Sequence, residues 1–99
     1  MGKMDGRVCI VTGGGGSIGL ASAEMLYREG ASVMLVDRDG DKLAAAVQSL
    51  GGASDRVAAV EADVSDEAAS KNYIDQTMEK WGRIDVLFCN AGFSGDNKP

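Results

Sequence analysis

The stretch Val8-Cys9-Ile10-Val11-Thr12-Gly13-Gly14-Gly15-Gly16-Ser17-Ile18-Gly19-Leu20-Ala21 decides how the rest of the chain is read. A short apolar run, Val8 to Val11, passes through Thr12 into four consecutive glycines. Ser17-Ile18-Gly19 follows and opens an amphipathic segment. The order is strand, glycine-rich turn, helix start. Such a turn lets bare backbone approach a phosphate and aims a helix N-terminus at it.

Within this run Gly14, Gly16 and Gly19 fit G-x-G-x-x-G. The first glycine serves the tight turn, the second the approach of backbone to a pyrophosphate, the third close packing of helix on strand. Four glycines in a row satisfy many patterns, and a plain flexible turn would read the same way. The context supplies what the pattern lacks: it follows a strand, opens a helix, and has an acid at the end of the next strand. That acid is Asp37, close to the expected distance of about 20 residues beyond the glycines. A carboxylate there accepts hydrogen bonds from ribose hydroxyls and repels a 2′-phosphate, favouring NAD over NADP. Arg38 pulls the other way, because a guanidinium partners phosphate. The plain alternative for Asp37 is a solvated turn residue. A P-loop is disfavoured, since Leu20 stands where G-x-x-x-x-G-K-[ST], counted from Gly14, requires lysine.

Working outward, Arg7 to Val11 is the first strand. Ile18, Ala21, Met25 and Leu26 make the apolar stripe of the first helix, which Glu29-Gly30 ends. Ser22, Glu24 and Arg28 fall off that stripe. Ser32 to Val36 is the second strand. Leu43, Val47 and Leu50 mark a second helix, stopped by Gly51-Gly52. Arg56 to Ala62 is a weaker third strand, because alanine is a poor strand former. Ser65 or Asp66 caps a third helix whose face carries Ile74, Met78 and Trp81, and Gly82 closes it. Asp85 to Cys89 is the fourth strand, and Phe93 to Pro99 reads as loop. Strands alternating with helices give an α/β fold with a Rossmann-like parallel sheet and right-handed crossovers.

The bulk properties narrow the function classes. With 99 residues the chain suits one domain, at the small end for an α/β layer structure. Hydrophobic residues make up 44% and charged residues 25%, an ordinary globular balance and not a disordered one. The net charge of −5 makes a phosphate backbone a poor partner, so nucleic acid is not expected. No apolar run reaches membrane-spanning length, and the N-terminus has no apolar signal region, which points to a cytoplasmic location. The absence of histidine excludes histidine-based catalysis. Cys9 and Cys89 lie in apolar runs and read as buried, reduced thiols; without metal-ligand spacing they give no metal site.

At this point several motifs coincide with a known family. Thr12 to Gly19 resembles the T-G-x-x-x-G-x-G turn of short-chain dehydrogenases/reductases. Asp63-Val64 resembles the acid that follows the third strand in that family, and Cys89-Asn90-Ala91-Gly92 resembles its N-N-A-G motif. Trp81-Gly82-Arg83-Ile84-Asp85 is similar to the run leading into that motif. The resemblance spans nearly the whole chain. It implies strand order 3-2-1-4, with a fifth strand beside the fourth in the family at large.

By that resemblance, Gly13, Gly15, Gly16, Ser17, Ile18 and Gly19 hold the pyrophosphate region of a nicotinamide dinucleotide. Asp37, with Arg38 beside it, takes the ribose, and Asp63 and Val64 the adenine. Asn90, Ala91 and Gly92 line the cofactor floor. NAD is the expected cofactor, NADP the lesser alternative. The implied reaction is hydride transfer between nicotinamide and an alcohol or carbonyl substrate, in an enzyme expected to be a homo-oligomer. Ser17 departs from the family's middle glycine, though its hydroxyl could cap the helix; Cys89 departs from the first asparagine of N-N-A-G.

The family's catalytic Tyr-x-x-x-Lys is not among these residues. Four positions after Tyr27 stands Ala31, and four after Tyr73 stands Thr77. Both tyrosines read as helix packing residues. Residues 1–99 are therefore expected to be the N-terminal part of one dinucleotide-binding domain, apparently truncated, with no catalytic residue and no turnover alone. A bare fourth-strand edge invites self-association. Two other classes stay open: a fragment of an S-adenosylmethionine-dependent methyltransferase, which also pairs a glycine turn with an acid, and a non-enzymatic nucleotide-binding module.

Overall fold

The computed structural model describes residues 3–13, 16–63 and 65–89, with Ser17 and Cys89 described by their backbone alone. Seven elements alternate along the chain: β1 (Val8–Thr12), α1 (Ser17–Arg28), β2 (Ser32–Asp37), α2 (Gly40–Ser49), β3 (Val57–Glu61), α3 (Glu67–Trp81) and β4 (Val86–Cys89). The strands form one parallel sheet in the order β3-β2-β1-β4, as the motif resemblance implied.

The strand order dictates where the helices go. Right-handed crossovers that step from β1 to β2 to β3 place α1 and α2 on one face; the return past β1 to β4 places α3 on the other. The core follows suit. Cys9, Val11, Val33, Leu35 and Val57 pack with Ala23, Leu26, Leu43, Ala46 and Leu50. Ile10, Met34, Val36 and Val60 pack with Tyr73, and Ile74 and Trp81 close against them. Every residue of β1 is buried, which is why it reads as a continuous apolar run and not as an alternation.

Two helices present faces different from the expected ones. In α1 the buried line is Gly19, Ala23 and Leu26, with Leu20 and Tyr27 packed beside it. Ile18 is 72% exposed, Met25 is 56% exposed, and Ala21 faces outward too. The expected stripe weighted large side chains, whereas glycine and alanine are what let this helix lie close to the sheet. In α3 the buried pair is Tyr73 and Thr77, while Met78 is 45% exposed. Thr77 escapes an apolar count because its hydroxyl is hidden: it donates to the Tyr73 carbonyl at 2.7 Å. Tyr27 and Tyr73 both serve packing, as expected.

The helix ends are set by short-range chemistry. Asp39 caps α2 through bonds from the amides of Asp41 and Lys42, so this helix starts at Gly40. Asp66, one of the two expected candidates, caps α3 by accepting from the Ala68 amide at 3.0 Å. Gly82 ends α3 in the left-handed conformation. Arg56 links two layers at the opposite edge of the sheet. Its guanidinium donates to the carbonyls of Tyr27 and Ala31 and lies 4.1 Å from the centre of the Tyr27 ring. The Trp81 indole donates to the Asp55 carbonyl at 2.8 Å and pins the end of α3. Among the described residues, no helix is long and apolar enough to cross a membrane.

Candidate functional site

Because all four strands are parallel, their C-terminal ends share one edge of the sheet. The order 3-2-1-4 reverses direction between β1 and β4, and open α/β sheets bind ligands in the crevice outside such a switch point. Thr12 closes the floor of that crevice. It is buried, pairs in register with Cys89, and its hydroxyl donates to the Phe88 carbonyl at 3.4 Å.

The glycine turn leaves β1 here. Gly13 has φ +72°, a left-handed conformation that a side chain disfavours, and its carbonyl accepts the Gly16 amide at 3.0 Å. Gly16 is the N-cap of α1 and contributes no side-chain cap bond. This corrects the expectation for Ser17, which is the first helical residue and not the cap. The first turn of α1 carries no acidic residue. A helix start leaves its first amides without intrahelical acceptors, and its dipole favours an anion. Among the described residues, neither a capping side chain nor a carboxylate competes for that role. Ile18 projects outward and Gly19 faces the sheet.

Asp37 ends β2 beside the turn, and one of its carboxylate oxygens accepts the Asp39 amide at 3.0 Å. Arg38 is exposed on the same edge. Beyond β3, Asp63 is held by Ser65: Oδ1 accepts from the Ser65 hydroxyl at 2.7 Å and from its amide at 3.0 Å. The Ser65 hydroxyl is the main reason the Asp63 carboxyl sits below its usual range; its amide and the Arg38 charge add to this. Thus Gly13, Gly16, Ser17, Ile18, Gly19, Asp37, Arg38 and Asp63 all lie along the C-terminal edge of the sheet or at the helix that leaves it. Gly15, Val64, Asn90, Ala91 and Gly92 lie outside the described residues.

One residue of this edge, Glu61, escaped the sequence reading. Arg38, Asp39, Gly40, Asp41 and Glu61 line an open cleft of about 580 Å³ at the start of α2. Glu61 is the register partner of Asp37 on the neighbouring strand. Its one signal in the sequence is its place two residues before Asp63, which means nothing until the register is known. Cys9, by contrast, belongs to the core: burial, and next the charge of Asp85, push its thiol up and away from reactivity.

The sequence profile described as short chain dehydrogenase matches residues 7–99. The chain belongs to the short-chain dehydrogenase family. Levodione reductase of Leifsonia aquatica is 44% identical to this short-chain dehydrogenase sequence over 95 residues, covering 94% of the chain and 36% of the relative. An NAD+-bound xylitol dehydrogenase structure superposes with a TM-score of 0.81 at 38% identity, covering 94% of this chain and 36% of that one. The C-domain of a bacterial malonyl-CoA reductase, solved with NADP, gives a TM-score of 0.80 at 36% identity. It covers 92% of this chain and 15% of that one. The chain spans about a third of the length of the curated relatives it matches.

Proposed function

We propose that this chain is the dinucleotide-binding part of an NAD-dependent oxidoreductase that moves hydride between nicotinamide and an alcohol or carbonyl substrate. The observation that carries this reading is the juxtaposition, on one sheet edge, of an uncapped helix start after Gly13–Gly16 and the Asp37 carboxylate. The two halves suit the two ends of an adenosine pyrophosphate. Amides at the start of α1 face the phosphates, and Asp37 accepts from ribose hydroxyls. The family resemblance assigns Asp63 and Val64 to the adenine, and Asn90, Ala91 and Gly92 to the cofactor floor. When bound, the nicotinamide supplies hydride chemistry; these residues bind and orient it.

The related structures carry NAD+ in one case and NADP in the other, so the choice between them rests on this chain's own residues. Asp37 favours NAD. The family's Tyr-x-x-x-Lys would exchange a proton with the substrate oxygen, the lysine lowering the tyrosine's pKa. Neither tyrosine here has that spacing, and both pack in the layers. On this reading the proton-transferring pair is supplied by residues other than 1–99, and residues 1–99 bind and orient the dinucleotide without turning over alone.

The test compares NAD-dependent oxidation of a panel of secondary alcohols by the intact protein and by residues 1–99. Turnover by the first and none by the second is the expected result. Turnover by the 99-residue chain would overturn the assignment of catalysis to residues outside it.

A further inference from the structure

We propose that Glu61 is a specificity residue that rejects a 2′-phosphorylated cofactor, acting beside Asp37 from the neighbouring strand. This rests on the reading of Asp37 as the ribose-binding acid. Asp37 and Glu61 are register partners in parallel strands, so their side chains leave the same face of the sheet. Adjacent strands lie about 4.8 Å apart, which brings the two acids into one neighbourhood.

Gly40 shows where the Glu61 carboxylate goes. A Cβ at position 40 would lie 2.6 Å from Glu61 Oε1. The missing side chain is therefore what lets the carboxylate sit against the first residue of α2. There it joins Asp39 and Asp41 in lining the cleft, with Arg38 the one basic residue among the five that line it. Asp39 stays in place because its side chain caps α2.

A phosphate on a ribose hydroxyl held by Asp37 would lie within a few bond lengths of the Asp37 carboxylate, at the strand end paired with Glu61. Arg38 alone would welcome it, but the Arg38 charge also acts on Asp63, and three carboxylates outnumber it in the cleft wall. Bringing a dianion there raises the energy of the wrong complex without touching the right one. That is how specificity is obtained by repulsion. NAD, with a free hydroxyl at the same position, meets no such penalty.

The experiment measures the dissociation constants of NAD+ and NADP+ for the intact protein and for Glu61→Gln, Glu61→Asp and Asp37→Ala. Glu61 is exposed, so these substitutions leave the core untouched. Glu61→Gln should tighten NADP+ binding about three- to tenfold and change NAD+ binding less than about twofold, the scale of one charge acting on a dianion across partly solvated space. Glu61→Asp keeps the charge and should keep the wild-type preference.

An unchanged NADP+ to NAD+ ratio in Glu61→Gln, equal weakening of both, or a wild-type preference for NADP+ would overturn the proposal. Two further results separate it from the reading it rests on. If the wild type binds neither dinucleotide, both fall. If Asp37→Ala weakens NAD+ while Glu61→Gln leaves the ratio alone, only the role of Glu61 falls.

Discussion

Asp85 and Val8 stand 77 residues apart, and the Asp85 carboxylate accepts the Val8 amide at 2.8 Å. The exchange is mutual, because the Asp85 amide donates to the Val8 carbonyl at 2.8 Å. This pair closes the N-terminal end of the β1–β4 ladder and fixes β4 on the far side of β1, where the switch point requires it. Arg83 completes the arrangement with two bonds to Asp85, at 2.7 and 2.9 Å.

A pH dependence follows. The Arg83 bonds, and next the Val8 amide, hold the Asp85 carboxyl below its usual range. A carboxyl lowered in the folded state stabilises it above the unfolded value, about 3.9 for Asp. That contribution is lost as pH falls from there through the lowered folded value. Asp85→Asn can still accept the Val8 amide but has no charge to lose. Urea midpoints measured from neutral to acid pH should fall less steeply for Asp85→Asn than for wild type. Identical acid limbs would show that the charge of Asp85 plays no part.

Arg56 gives a second prediction. It makes two charge-assisted bonds, to the carbonyls of Tyr27 in α1 and of Ala31 just beyond it, and stacks on Tyr27, while its buried Nε makes no hydrogen bond. Arg56→Ala should lower the unfolding free energy by about 2 kcal/mol, the sum expected of two such bonds in a partly buried site. Arg56→Lys should recover only part, since an ammonium on a shorter stem lacks the planar face that stacks on the Tyr27 ring. Denaturant titration of the three proteins checks this. Full recovery by lysine would contradict the geometry.

The phase of α1 is tested by a contrast. Ala23 is buried under the helix, whereas Met25 is largely exposed. Ala23→Leu should overpack the interface and cost about 1–3 kcal/mol. Met25→Ala should change stability by less than about 0.5 kcal/mol in the isolated chain. The reverse order of effects would restore the stripe through Ile18, Ala21, Met25 and Leu26.

How far the sequence was legible can be judged from these same residues. Element order was readable because β1 and β2 are buried on both faces and show as unbroken apolar runs, whereas strand order came only through the motif resemblance. The turn was readable because glycines there answer a backbone demand, explicit at Gly13. Helix faces were less readable. In α1 the small residues Gly19 and Ala23 set the contact, and in α3 Thr77 hides its own hydroxyl, so counting large apolar side chains pointed to Met25 and Met78. The part of the site that depends on register was not readable at all. Asp37 announces itself by distance from the glycines, but Glu61 gains meaning only when β2 and β3 lie side by side.

The most direct test of the account is a calorimetric titration of NAD+ into the intact protein and its Asp37→Ala variant, with S-adenosylmethionine as the competing ligand. The account predicts saturable NAD+ binding to the wild type and no response to S-adenosylmethionine. Asp37→Ala should weaken NAD+ binding by about ten- to a hundredfold, as expected for hydrogen bonds to a charged group. Wild-type binding of S-adenosylmethionine in place of NAD+, or an NAD+ affinity indifferent to Asp37, would contradict it.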